Sequence, residues 1–367
     1  MRSLLTLAAP ALLATTLTAN VAVANVQGPT VYGLIHLSAD QINSDIDGNA
    51  QSFNVSSNTS RIGVRGGFDV DANLQVLYQA QAFVYITEGG HDDNKFRFDQ
   101  DTFAGFKGNW GLLRIGNMNS PTKLLRVRTD LFSTQVGAAG NITGADGQDN
   151  WRRNSVYYTS PKINGITAKA QYSTNSADEG HATTYRSVAY SASLEFENGP
   201  FWAAIAYDED KGLPVAGDDT NVKAYRAAAS VNLTEDLRVN AIYNHAHKSG
   251  LDGNLSPANS DVYGLGLRYQ LAQKVALKTQ VHHLVRDERV TNAHLDNKKP
   301  RATQYAIGAD YQYAPNLMFY ANYAQTDNDG VYRAPTNAGR TAIIKLGQSD
   351  TQKENPWAVS VGTIFHF

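Results

Sequence analysis

From residue 29 onward, apolar and polar positions alternate with a period of two, in runs of about ten residues punctuated by Gly, Asn or Asp. In "NLQVLYQAQAFVY" (73–85), Leu74, Val76, Tyr78, Ala80, Ala82 and Val84 share one face and Gln75, Gln79 and Gln81 the other. A face of glutamines is not the face of a hydrophobic core. The stretches 222–233, 261–271, 303–313 and 316–325 repeat the arrangement, with Tyr, Leu, Val or Ala on one side and Gly, Arg, Gln, Asn or Asp on the other. Each such run predicts a β-strand. Sixteen are predicted, starting near 30, 60, 73, 98, 110, 151, 165, 184, 200, 222, 236, 260, 274, 302, 316 and 357.

The connectors alternate in length. Short turns at 69–73, 108–111, 163–166, 197–200, 233–236, 271–274 and 313–316 separate longer polar loops at 40–58, 87–97, 174–183, 208–221, 248–259, 286–301 and 326–355. This is the layout of an up-and-down barrel whose two ends face different surroundings. The chain stops inside its last strand, "WAVSVGTIFHF" (357–367). Trp357, Val359, Val361, Thr363, Phe365 and Phe367 lie on one face; Ala358, Ser360, Gly362, Ile364 and His366 lie on the other. A terminal strand of this length leaves an edge unless the sheet closes on itself. Alternation alone does not separate a soluble sandwich from an inverted barrel. More than 300 residues with no helical stretch or linker favour the barrel, because a closed sheet satisfies every backbone group in hydrocarbon.

The first residues change the compartment. Arg2 precedes an apolar run, Leu4 to Leu17, and Ala22 and Ala24 follow in the small-residue positions of a cleavage site. Residues 1–24 are expected to be a secretory signal peptide, leaving 25–367 as a single barrel domain. No later run reaches the roughly 18 apolar residues of a transmembrane helix. The chain has no cysteine, so no disulfide holds it, and its net charge of −2 argues against a nucleic-acid partner. Its 19 Tyr, 13 Phe and 30 Gly suit strands, turns and the aromatic girdles of a membrane interface.

Signatures of catalysis are missing: no G-x-S-x-G, P-loop or H-E-x-x-H occurs, and a cysteine nucleophile is impossible. His245 and His247 share a strand face, but two ligands do not make a zinc site. The acidic turns 44–49 and 217–221 lack a glutamate at the twelfth loop position of a calcium loop and read as solvated tips. No catalytic residue, metal or cofactor is expected.

"SRIGVRGGFDVDANLQVLYQAQ" (60–81), "DTFAGFKGNWGLLRIGNMNSP" (101–121), "RRNSVYYTSPKINGITAKAQY" (152–172) and the terminal "SVGTIFHF" (360–367) resemble the trimeric, sixteen-stranded general porins of Gram-negative bacteria. The resemblance implies an all-β transmembrane antiparallel barrel in the outer membrane, closed by pairing of its last and first strands. It also implies a homotrimer that passes small hydrophilic solutes and ions. Phe367 becomes part of the signal read by the barrel assembly machinery, and the third loop, 119–150, folds into the pore. That loop can form a short helix after Pro121, and it carries Lys123, Arg126 and Arg128 against Asp130, Asp146 and Asp149.

If the apolar faces look at lipid, Arg61, Arg65, Lys107, Arg114, Arg153, Lys169, Arg226, Arg268 and Lys278 look into the lumen, against few acids such as Asp101 and Asp310. The alternative, a charged side chain in lipid, costs roughly 2–4 kcal/mol per Arg or Lys near the midplane. Arginines around an aqueous constriction favour anions modestly. The competing reading of the whole chain is an exported soluble all-β enzyme or carbohydrate-binding protein.

Overall fold

The computed structural model describes residues 28–43, 51–87, 98, 100–144, 149, 151–174, 187–215, 218–249, 258–287, 301–329 and 355–367. The predicted signal peptide, the acidic turn 44–49 and Asp146 lie outside them. The strands are β1 (Thr30–Asn43), β2 (Gln51–Ser57), β3 (Arg61–Asp69), β4 (Leu74–Phe83), β5 (Thr102–Gly108), β6 (Gly111–Asn119), β7 (Trp151–Thr159), β8 (Ile166–Thr174) and β9 (Val188–Asn198). They continue with β10 (Phe201–Val215), β11 (Asp218–Asn232), β12 (Leu237–Ser249), β13 (Ala258–Ala272), β14 (Val275–Arg286), β15 (Arg301–Ala314), β16 (Leu317–Asp329) and β17 (Trp357–His366). Two helices, α1 (Pro121–Thr129) and α2 (Gly140–Thr143), lie between β6 and β7.

Every neighbouring pair is antiparallel, and β17 returns to β1 in a register running from Leu34↔His366 to Asn43↔Trp357. Phe367 extends that seam: its N–H donates to the Gly33 carbonyl at 3.1 Å and its carbonyl accepts from Gly33 N–H at 2.9 Å. No edge is left at the closure. Both β2 and β3 pair with β1, β2 along Leu37–Asn43 and β3 along Thr30–Leu34. They are two lengths of one stave, so the 17 segments make a closed barrel of 16 staves.

The break between them is built. Thr59 has φ 61°, a left-handed conformation that a β-branched residue rarely adopts. Asn58 N–H donates to the His36 carbonyl at 2.8 Å, its side-chain amide donates to Ser38 Oγ at 2.7 Å, and Ser60 Oγ accepts from His36 N–H at 3.0 Å. The bend thus restores on β1 the backbone partners that the interruption removes.

Two stretches expected as loop are strand. Residues 51–57 form β2, and β10 runs to Val215 with β11 starting at Asp218, so most of 208–221 pairs across the sheet. The difference has a physical reason: strongly polar composition does not mark a loop here. In a barrel with a wet interior the inward half of a strand is polar, and Asp208 and Asp210 are such inward residues, both buried.

The alternation divides the wall as the periodicity implies. Ile205 is 62 % exposed, and Ile307, Leu265 and Val361 lie on the same outer surface. The buried side is rich in Ser, Asn, Gln, Arg and Asp. A soluble sandwich would show the reverse, so the outer surface is made for lipid. One ring of the aromatic girdle runs along β8 to β17 as Tyr172, Tyr190, Tyr207, Tyr225, Tyr243, Tyr263, Tyr305, Tyr323 and Trp357. Ring centroids are 5.2 Å apart in Tyr172–Tyr190, Tyr207–Tyr225 and Tyr243–Tyr263. At the opposite end the short turns are tight. Between β7 and β8, Ile163 and Ile166 exchange both backbone bonds at 2.9 Å around Asn164 (φ 51°) and Gly165 (φ 85°), the two positive angles that a two-residue hairpin demands.

The seam yields a prediction. The ring of Phe367 stacks on that of Phe365 (centroids 6.1 Å apart) and covers Gly33, where an added Cβ would lie 2.2 Å from Cζ of Phe367. Phe367→Asp should lower the amount of folded barrel in outer-membrane fractions far more than His366→Ala, whose side chain faces the lumen. Folded protein is read by heat-dependent migration on gels, and equal yields would refute the assignment.

Candidate functional site

The chain between β6 and β7 turns into the barrel and follows its inner wall. Its entry is set locally: Ser120 caps α1 by accepting from Lys123 N–H at 3.1 Å, and Pro121 occupies the first turn. At the other end Asp130 stops the helix. Its backbone N–H donates to the Arg126 carbonyl at 2.9 Å, and its carboxylate accepts from the N–H groups of Phe132 (3.0 Å) and Ala139 (2.9 Å). Gly137 (φ 83°) then lies against the wall so closely that a Cβ there would be 2.5 Å from the Cβ of Ala306.

A loop buried in a barrel cannot leave its backbone groups unpaired. The wall answers with inward side chains. Arg226, 2 % exposed, donates to the carbonyl of Thr122 at 2.9 Å and of Thr143 at 3.4 Å. Asn240 donates to the carbonyl of Thr129 at 2.9 Å and Arg238 to that of Arg128 at 3.1 Å. Gln280 accepts from Leu131 N–H at 3.0 Å and donates to the Gly137 carbonyl at 2.9 Å. His36 reaches Thr134 Oγ1 at 3.1 Å.

Apolar contacts complete the seat. Leu125 packs on Trp202, Ala204, Ala206 and Ala228; Phe132 and Val136 pack on Ile42, Ala306, Ala324 and Ala358. Inward alanines on these strands leave the room that the loop fills. The loop therefore leans on the arc formed by β8 to β17 and β1, and faces β3 to β6 across the lumen.

Charge is distributed unevenly over these two sides. On the loop, Arg126 bonds Asp149 at 3.1 Å and Asp130 at 3.3 Å, and Arg128 pairs with Glu197 over the ring of Trp202. Arg226 also reaches Asp149, at 2.6 Å. Burial alone would raise the Asp149 carboxyl, but the guanidiniums of Arg226 and Arg126 outweigh it and hold the group well below the usual carboxylate range. Lys123 is buried with its ammonium 2.9 Å from the ring centre of Trp151, and burial pushes its pKa well down. Elsewhere on the wall, Arg152 is held by Asp208 and Asp210, Lys169 by Glu195 (2.6 Å), and Lys278 by Asp310 (2.7 Å).

The wall opposite the loop is different. Arg61, Arg65, Lys107 and Arg114 all fall on the inward register of β3, β5 and β6. Among the described residues none of the four has a carboxylate within 4.0 Å. Arg65 lies over the ring of Tyr32 (4.8 Å) and Arg114 over those of Tyr157 (4.3 Å) and Phe103 (5.1 Å), contacts that fix a guanidinium without cancelling its charge. Asp101 accepts from Asn119 N–H at 2.9 Å and so ties the base of the loop.

Arg153, expected beside Arg114, sits at a register slip. Asn154 has φ 48°, and the pairing shifts between Gly116 and Met118, where Met118 meets Arg152. The buried inward position there belongs to Arg152. Sequence reasoning also passed over Arg238, which abuts a turn, and the acids Asp208, Asp210 and Glu195. The inward alanines opposite Leu125 and Phe132 were the available signal that something packs inside.

A sixteen-stave barrel with an apolar exterior, a polar bore and an inserted loop defines a membrane channel. The sequence matches the Gram-negative porin family over residues 8–331. The chain belongs to that family, and it is an outer-membrane channel for passive diffusion of small hydrophilic solutes and ions. Outer membrane porin protein 32 of Delftia acidovorans is 24 % identical over 336 residues, 85 % of this chain and 90 % of that protein. The chitoporin of Vibrio furnissii is 30 % identical over 167 residues, 44 % of each chain. Among solved structures, an anion-selective porin from Comamonas acidovorans superposes with a TM-score of 0.77 at 20 % identity, covering 93 % of this chain and 99 % of that one. The trimer form of OmpT from Vibrio cholerae gives 0.68 at 14 % identity, covering 93 % and 99 %.

The Asp149 cluster generates a prediction. Removing one partner of a buried ion pair costs about 3–5 kcal/mol. Asp149→Asn leaves Arg226 without its carboxylate and Arg126 with Asp130 alone, so the loop should loosen while the barrel persists, with larger and noisier single-channel currents. The folded pKa of Asp149 is depressed, so its stabilisation is present above the unfolded value of about 3.9 and is lost only as pH falls through the lower folded one. Wild-type current noise should therefore stay the same from neutral pH to about pH 4.5. Loosening within that window, or quiet wild-type-like currents in the variant, would refute the clamp.

Proposed function

We propose that this porin prefers anions, and that the preference is set by Arg61, Arg65, Lys107 and Arg114 facing the inserted loop. The observation that carries the reading is the asymmetry of pairing: among the described residues the loop arginines are matched by carboxylates within 4.0 Å, whereas these four wall cations are not. A narrow bore with low-dielectric walls focuses the field of uncompensated charges and raises the local concentration of counter-ions. The Comamonas acidovorans porin of similar fold is anion-selective by its description, which supports the same direction here.

The assembly we propose is a homotrimer, exported with a leader cleaved after Ala24 and inserted by the barrel assembly machinery through the terminal strand ending at Phe367. The tyrosine ring favours one arc for subunit contact. It spans β8 to β17, whereas the outward residues of β1 to β5 include Ala39, Val55, Ala80 and Ala104 beside Phe53 and Tyr78. Small and aliphatic side chains suit close packing against protein more than an interface with lipid headgroups.

The selectivity test is direct. Arg61→Ala with Arg114→Ala should shift the reversal potential in a potassium chloride gradient toward cations, lowering the chloride-to-potassium permeability ratio by roughly twofold or more. Arg126→Ala should act differently, by releasing the loop. An unchanged potential in a folded double variant would overturn the assignment of the constriction to these arginines.

A further inference from the structure

On the inner wall beneath the loop, Arg238 of β12 and Arg268 of β13 are direct cross-strand partners, and Arg268 is in turn opposite Lys278 of β14. Like charges placed directly opposite one another destabilise a sheet. Lys278 is relieved by Asp310 at 2.7 Å and Gln135 at 2.6 Å. The two arginines are not. Arg238 donates to Ser230 Oγ and Asn240 Oδ1, both at 2.9 Å, and to the Arg128 carbonyl; Arg268 donates to Gln270 Oε1 at 3.0 Å. Each of these acceptors is neutral, and among the described residues no carboxylate comes within 4.0 Å of either guanidinium.

Both arginines line one cleft of about 250 Å³, bounded by the loop at Arg128 and Phe132 and by the short-turn end of the barrel. The carboxylates on its lining are otherwise placed. Asp310 serves Lys278, Asp130 serves Arg126 and the loop amides, and Glu235 and Asp236 belong to the exposed turn before β12. The neutral acceptors fix each guanidinium from one side and leave further N–H donors of its fork uncommitted.

We infer that Arg238 and Arg268 form a second anion station, below the loop at the short-turn mouth, which binds a small divalent oxyanion of the sulfate or hydrogen-phosphate class. A tetrahedral dianion accepts from two guanidinium forks at once and cancels the repulsion that their register creates. The inference rests on the diffusion-channel reading. It adds to it a distinct site, on the arc that seats the loop and separated from Arg61 on β3 by the strands β14 to β17 and β1. A solute anion then meets two cationic stations in series with the loop between them.

The test uses selenate as probe, in crystals of the whole porin at low chloride, with the anomalous signal of selenium locating it. A peak within hydrogen-bonding distance of Arg238 and Arg268 is expected; its absence there, or a peak confined to Arg61 and Arg114, overturns the proposal. In planar bilayers, sulfate should reduce chloride current in the wild type, and Arg238→Gln with Arg268→Gln should raise the half-blocking concentration about fivefold or more. An unchanged half-blocking concentration in a folded, conducting double variant also overturns it. Failure to conduct at all in the wild type would refute the channel reading instead, so the two are separable.

Discussion

Hydrocarbon offers no partner to a backbone N–H or C=O, and that one constraint organises the chain from end to end. It requires the strands to close, which is why β17 runs on to Phe367 and pairs with β1 until the last residue. It also explains how the second stave can be interrupted. The bend at Asn58 to Ser60 is tolerated because His36 supplies both a carbonyl and an N–H to it. Where closure is complete, side chains no longer have to hold the fold through disulfides, and the chain contains no cysteine.

The same constraint governs the loop inside the bore, with a different solution. Its backbone has no sheet to join, so side chains of Arg226, Arg238, Asn240 and Gln280 act as the missing strand. This divides the inward polar residues into two populations with opposite tasks. One population meets backbone and carboxylate and is buried; its charge is spent on architecture. The other, on β3 to β6, sets Arg65 and Arg114 against aromatic faces, with no carboxylate within 4.0 Å among the described residues.

That division is where sequence reading stops. The strands were legible because an outer face in lipid tolerates little besides apolar residues, so the period of two survives in nearly every segment. The helix of the loop was legible from Ser120 and Pro121, whose capping and φ restriction act within one turn. Arg226 and Arg114, by contrast, carry the same signature, a basic residue on the polar side of a strand. Only the loop, more than 70 residues away from Arg226 along the chain at Asp149, makes one an anchor. Arg153 and Arg152 could not be told apart either, because the slip at Asn154 is a left-handed residue without glycine to advertise it. The loop assigned to 208–221 failed for a related reason: inward acids on a strand look like a solvated turn.

The guanidiniums of the bore that meet no carboxylate among the described residues run against the logic of stability that governs the rest. Carboxylates opposite Arg61, Arg65 and Arg114 would relieve repulsion, as Asp208 and Asp210 do for Arg152 and Asp310 does for Lys278. Such pairs would also cross the lumen, and a salt bridge across a bore is both an obstruction and a neutral wall. Cation–aromatic contacts with Tyr32, Phe103 and Tyr157 offer a different compromise, since a ring orients and partly shields a guanidinium from its own side of the channel. Such a contact orients the side chain and leaves its charge unneutralised. The tightly satisfied remainder of the barrel is what makes such positions without a carboxylate partner tolerable.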